Sequence, residues 1–173
     1  MDNDSKLIKY GLIIFAILII ITMFLPITYL NRPSSDSVAY LWWFFYYGNQ
    51  AGSVTTQLIF QISMEDSPQV VLGAYVLIGI VIAGTALVFI SCFTRSKPRL
   101  AKYSAAIGYA LSACAVVMFI VFATLTSQQP IPPYFPFDDS TATWVVPFIG
   151  YYLGMGALVF GGIIIKATNW EAL

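Results

Sequence analysis

The chain has 173 residues, 59% of them hydrophobic, a mean hydropathy of +0.81 and a formal net charge of zero. Little of it remains for soluble mass, and a neutral chain sets up no global field to draw in nucleic acid or an acidic partner. With no histidine, both the commonest general base and the commonest transition-metal ligand are missing.

Four apolar runs follow one another, at 10–30, 70–93, 103–126 and 144–167, uncharged except for Lys166 at the end of the fourth. Each reaches the roughly 20 residues that about 30 Å of hydrocarbon demands. Backbone amides in lipid must bond within their own segment, so these runs are predicted to be helices. The expected fold is an all-α membrane protein: a four-transmembrane-helix bundle, residues 1–173 as one integral domain, with a small extracellular β-hairpin layer. The outer loops are 31–69 and 127–143.

The first run is too long for a signal peptide and no small-residue cleavage site follows it, so it is the first permanent span. Pro26 near its outer end frees the carbonyl of Thr22, where a kink is expected. Asn3-Asp4-Ser5 matches a glycosylation acceptor, but at a cytoplasmic end it would be a chance occurrence.

The first outer loop opens on a turn-rich stretch, 31–36, and then runs through Val38-Ala39-Tyr40-Leu41-Trp42-Trp43-Phe44-Phe45-Tyr46-Tyr47. These are β-favouring or aromatic residues. Residues 48–52 supply turn chemistry. Val54, Thr56, Leu58, Phe60 and Ile62 then alternate with Thr55, Gln57 and Gln61, the pattern of a half-buried strand. Ten residues cannot cross a bilayer as a helix, so a hairpin over the outer helix ends is predicted. The competing picture is an interfacial amphipathic helix over 38–47. Trp42, Trp43, Phe44, Phe45, Tyr46 and Tyr47 exceed what an ordinary interfacial belt needs, and are expected to cover the bundle on one side and meet lipid or a partner on the other.

The second outer loop centres on Pro130-Ile131-Pro132-Pro133-Tyr134-Phe135-Pro136-Phe137. Its prolines favour a stiff, extended path. Tyr134 and Phe135 on this arm either pack under the hairpin or join the contact surface. Asp138 and Asp139 precede the fourth run, where acids complement the positive end of a helix.

The spans carry small residues at helical spacing. Gly150, Gly154, Ala157 and Gly161 share one face of the fourth, and Ser104, Gly108 and Ser112 form a ladder in the third. The second offers Tyr75, Gly79 and Ala83. Small faces let helix backbones approach closely in lipid. They serve packing inside the bundle or docking of another subunit, and the 150–161 face is the first candidate for docking. No Asp, Glu, Lys or Arg lies in the core of a span, which weighs against a pump or ion-coupled transporter. Cys92 and Cys114 lie where no structural disulfide is expected. Cys92, beside the basic loop, is either an acylation site or inert, and Trp170 is a candidate interfacial anchor.

Lys6, Lys9, Arg95, Lys97, Arg99, Lys102 and Lys166 gather on one side of the predicted membrane, with Arg32 alone on the other. Positive loops stay inside, so both termini and the 94–102 loop are expected in the cytoplasm and the chain in the plasma membrane.

This order of parts resembles the claudin and peripheral-myelin-protein superfamily, which includes accessory subunits of calcium channels. Leu25-Pro26 matches the proline that often ends the family's first span, and Leu41-Trp42 matches the end of its Gly-Leu-Trp motif, with Tyr40 in place of glycine. The two cysteines that follow in the family are absent; Phe45 and Thr55 stand near their places. The resemblance implies four spans, cytoplasmic ends, a long β-rich first outer segment and a shorter second one. Without the disulfide, aromatic packing or a partner must hold the outer layer.

The leading expectation is a non-catalytic accessory subunit, packed against a larger membrane complex or against itself, with membrane lipids and other membrane subunits as partners and no nucleic acid. A claudin-like adhesion or barrier protein is the second reading and a small oligomeric channel or permease the third. No residue set can be nominated for enzyme chemistry, for a metal or for a cofactor, although a groove between helices can accept a lipid tail.

Overall fold

The computed structural model describes residues 3–32, 37–41, 43, 45–50, 53–58, 68–94, 97–127, 144–168 and 170. Four helices carry the four apolar runs: α1 (Asn3–Met23), α2 (Pro68–Phe93), α3 (Pro98–Ser127) and α4 (Ile149–Ala167). At one end of these helices lie five strands, β1 (Thr28–Arg32), β2 (Ser37–Leu41), β3 (Phe45–Gln50), β4 (Ser53–Leu58) and β5 (Trp144–Pro147).

Prolines set two boundaries that apolarity alone misplaces. The ring of Pro26 disfavours helical backbone at Leu25, so α1 stops at Met23 instead of running to Leu30. Its last turn tightens through Phe24 N–H to Ile21 O at 3.0 Å and Leu25 N–H to Thr22 O at 3.3 Å. The expected kink is therefore a helix end, and the carbonyl of Thr22 keeps a donor. Pro147 acts in the same way on Val146. Residues 144–147, expected as the first turn of the fourth span, form β5, and α4 begins only at Ile149. By contrast, α3 starts earlier than expected because Pro98 suits the first helical position, and Ala101 N–H already donates to Lys97 O at 3.0 Å.

In place of a two-stranded hairpin, the outer layer is one antiparallel sheet in the order β4-β3-β2-β1-β5. Tyr29 pairs with Tyr40 on one side and Val146 on the other, which ties the segments after α1 and before α4 into the same sheet. The 38–47 run does not form a single arm or an interfacial helix. It breaks around Trp43 into β2 and β3, with Leu41 paired to Tyr46. β4 follows the alternating pattern from Val54 to Leu58, and Gln50 pairs with Ser53. The remainder of that pattern, the 130–137 arm with Tyr134 and Phe135, and Asp138 and Asp139 lie outside the described residues.

The helices pack as a ring, α1 to α2, α2 to α3, α3 to α4 and α4 to α1, with the α2–α3 interface the most extensive. Phe15, Ile19, Val81, Val88, Val116, Phe119, Ala157 and Leu158 fill the middle. The outside is apolar as well. Tyr10, Ile14, Ile17 and Ile21 recur along the exposed side of α1, with Phe24 exposed just past its end, and α2, α3 and α4 carry similar outward rows. A soluble monomer rarely exposes a continuous apolar surface of this extent. Three helices are long and apolar enough to cross a membrane, in windows Leu72–Phe93, Pro98–Phe119 and Ile149–Ala167; the apolar part of α1, Ile8–Met23, is shorter. The chain is a membrane protein.

Candidate functional site

Small-residue contacts position the bundle, and each can be read from what a side chain would meet there. On α4, Gly150, Gly154, Ala157 and Gly161 all point inward and are buried. A methyl group at Gly150 would lie 2.7 Å from Pro26 O and 2.9 Å from Leu25 O, both backbone atoms. Gly150 N–H donates to Pro26 O at 2.9 Å and Phe148 N–H to Ile27 O at 2.8 Å. These two bonds join the α1–β1 joint to the β5–α4 joint, so the sheet and the bundle meet at one hydrogen-bonded corner.

Further along α4, a methyl at Gly154 would stand 3.1 Å from the Val116 side chain, and one at Gly161 would stand 2.6 Å from the Phe15 ring. Gly162 leaves room for Tyr109, whose hydroxyl would be 3.0 Å from an added methyl. Phe15 and Tyr109 meet across the bundle centre with ring centroids 5.9 Å apart. The first-choice docking face is thus occupied by the chain's own α1 and α3. A partner that reaches α4 must use its other side.

The closest helix crossing is between α2 and α3. A methyl at Gly108 would lie 2.6 Å from Gly84 O, and one at Gly84 would lie 2.8 Å from Gly108 O. This reciprocal approach of backbone to backbone is the geometry small residues permit in lipid. Ser104 and Ser112, the neighbours of Gly108 in the ladder, are buried beside it. Gly84 is not among the residues that the sequence offers on α2, Tyr75, Gly79 and Ala83; those three are exposed, and nothing lies within 4 Å of a methyl added at Gly79. The missed signal was the spacing of Gly84 from the β-branched residues Val81 and Val88, which are fully buried on the same face.

Polar groups inside the helices are mostly satisfied locally. Thr22 donates to Ile19 O at 2.6 Å, Thr85 to Val81 O at 2.8 Å and Ser91 to Val88 O at 2.6 Å, each returning its hydroxyl to its own helix. Two buried groups have no hydrogen-bond partner among the described residues, Ser112 Oγ and Trp43 Nε1. Ser112 Oγ sits 2.7 Å from where a Gly84 methyl would be.

Trp43 is the one outer-layer aromatic whose side chain is described, and it faces inward. It is 1% exposed and stacks obliquely on Phe119 of α3, ring centroids 4.7 Å apart at 56°. From the bend between β2 and β3 it plugs the end of the bundle, so it is packing and not partner contact. Phe45, Tyr46 and Tyr47 take their places in β3. Trp42 and Phe44 lie outside the described residues.

At the opposite end, Lys9 of α1 sits over the Phe93 ring at 5.2 Å and clasps the end of α2. Trp170 is buried against its own chain, and its Nε1 donates to Ile165 O at 3.3 Å, closing the C-terminal end of α4. Cys92 is buried and donates weakly to Val88 O at 3.4 Å, whereas Cys114 is exposed. Acylation at Cys92 would require the helix end to open. In detergent, a small apolar maleimide is expected to label one thiol, Cys114, with Cys92 reacting only after denaturation in SDS; fast native labelling of both would contradict this packing.

Among the described residues, no three of His, Cys, Asp and Glu come together as a metal could use. Neither a protein-family model nor a curated protein matches the chain.

Proposed function

We propose that this chain is a non-catalytic subunit of a membrane assembly, built on the plan of the claudin and peripheral-myelin-protein superfamily. On this reading it crosses the plasma membrane four times, keeps both termini in the cytoplasm, and packs beside a larger complex or further copies of itself. The order of parts supports the resemblance: a long connection after α1 carries β2, β3 and β4, and the shorter connection before α4 carries β5. The distribution of Lys and Arg supports the orientation.

One observation carries the reading. Only 28% of the α4 window is buried by the rest of the chain, against 44% for α2 and 39% for α3. Its outward side presents Ile149, Tyr152, Val159 and Ile163, each more than half exposed, around Gly156, where an added methyl would meet nothing within 4 Å. A notch of this kind lets a neighbouring helix approach closely in lipid. Gly156→Leu fills the notch without touching the bundle. It should lower recovery of co-purifying membrane subunits about tenfold, a loss of about 1.4 kcal/mol, without lowering the melting temperature, since leucine favours helix over glycine. Unchanged recovery with Gly156→Leu would remove α4 as the contact and the accessory reading with it.

A further inference from the structure

The net charge of zero conceals a segregation of charge. No carboxylate occurs between residues 67 and 137, and the stretch 94–103 holds Arg95, Lys97, Arg99 and Lys102. Lys97, Arg99 and Lys102 are all exposed at the start of α3. Arg99 and Lys102 are three residues apart, hence neighbours on one helix face. The same face continues as Tyr103, Ile107, Val117 and Val121, exposed by 63%, 52%, 45% and 41%. From Lys102 to Val121 a helix rises about 28 Å, close to the thickness of the hydrocarbon layer. The cations therefore stand at one boundary of the membrane and the apolar row occupies its depth. Helical side chains lean toward the helix N-terminus, which tilts Arg99 and Lys102 out of hydrocarbon and into the headgroup region.

We propose that this face of α3 is a docking surface for an anionic phospholipid. Its phosphate lies against Arg99 and Lys102, with Lys97 beside them, and an acyl chain follows Tyr103, Ile107 and Val117. Charge complementarity selects the occupant: a zwitterionic lipid would bring its own cation against three fixed ones, whereas phosphatidylglycerol or phosphatidylserine brings net negative charge. The tyrosine ring at the junction of the charged and apolar parts suits the interface between headgroup and chain. Lys9, the nearest cation on α1, is engaged with Phe93 and serves as the natural control.

The inference does not depend on the accessory reading or on orientation, because a nanodisc offers both leaflets. The full chain would be reconstituted in phosphatidylcholine nanodiscs containing spin-labelled phosphatidylglycerol, and the immobilised lipid fraction compared with that of spin-labelled phosphatidylcholine. The unaltered chain should enrich the anionic lipid, and Arg99→Gln with Lys102→Gln should cut that preference by about fivefold for each charge removed. Lys6→Gln with Lys9→Gln, an equal charge change at the same end, should leave most of it. Equal loss from both pairs, or no preference in the unaltered chain, would overturn the proposal. A second readout uses no substitution: a phosphatidylglycerol bearing a photoreactive acyl chain should label α3 between residues 103 and 117. Labelling spread evenly over α4 would overturn the proposal, as would displacement of the lipid by millimolar inorganic phosphate, which would reveal a simple anion site.

Discussion

Gly108→Ala is expected to destabilise the protein sharply, although the change adds a single methyl group to a helix. That methyl would lie 2.6 Å from Gly84 O and 2.9 Å from Val88 N, backbone atoms of α2 that cannot swing aside. Either the two helices separate along their whole interface or the overlap remains. Overpacking of this kind costs about 1–3 kcal/mol, and for a chain of this size each kcal/mol lowers the melting temperature by about 2–4 °C. A fall of about 2–12 °C is predicted, and Gly108→Val should exceed it. Gly79→Ala is the matched control, because its methyl meets open space and alanine favours helix over glycine by about 1 kcal/mol. Equal tolerance of the two changes would show that α2 and α3 do not cross at Gly84 and Gly108.

Trp43→Ala is expected to have the largest effect of any side-chain truncation. Removing a fully buried tryptophan leaves a cavity at the junction of sheet and bundle, at a cost of about 3–5 kcal/mol. The loss should appear locally as faster hydrogen exchange at the amides of β2 and β3, which the plug holds over Phe119. Trp43→Phe separates shape from polarity. It keeps a ring against Phe119 and removes an N–H that has no partner among the described residues, so the cost of the smaller ring is offset by relief of an unsatisfied donor. A change below about 1.5 kcal/mol is predicted. If Trp43→Ala proves mild, the outer layer is held by something other than this plug.

How much of this was legible depended on which signal each element carried. The four helices were, because uncharged runs of their length have few alternatives in lipid. Their ends were misplaced at Leu30 and Trp144 by counting apolarity alone, when Pro26 and Pro147 already restricted Leu25 and Val146 to extended backbone. The strands β1 and β5 were hidden for the same reason: Thr28-Tyr29-Leu30 and Trp144-Val145-Val146 read equally as membrane helix and as strand. The sheet as a whole required a pairing between segments more than a hundred residues apart, Leu30 with Val145, which no local pattern contains.

The candidate packing residues show a different limit. Spacing placed Gly150, Gly154, Ala157 and Gly161 on one face but could not say whether that face looks in or out; the inward contacts with Pro26, Val116 and Phe15 decide it. Within the aromatic run, Trp43 was indistinguishable from Trp42, because period-two alternation fails where the chain bends between β2 and β3. The charge asymmetry was fully visible. Its alignment with the exposed row of α3 needed the burial of each residue.

The proposal that this chain works as a subunit stands or falls on quantitative recovery from its native membrane. The unaltered chain would be extracted in gentle detergent, sized as a native complex, and its co-purifying proteins counted by mass spectrometry. Stoichiometric association with other membrane subunits or a defined self-assembly, sensitive to Gly156→Leu, is expected. Recovery as a monomer, with no stoichiometric protein companion at any detergent-to-lipid ratio, would contradict it.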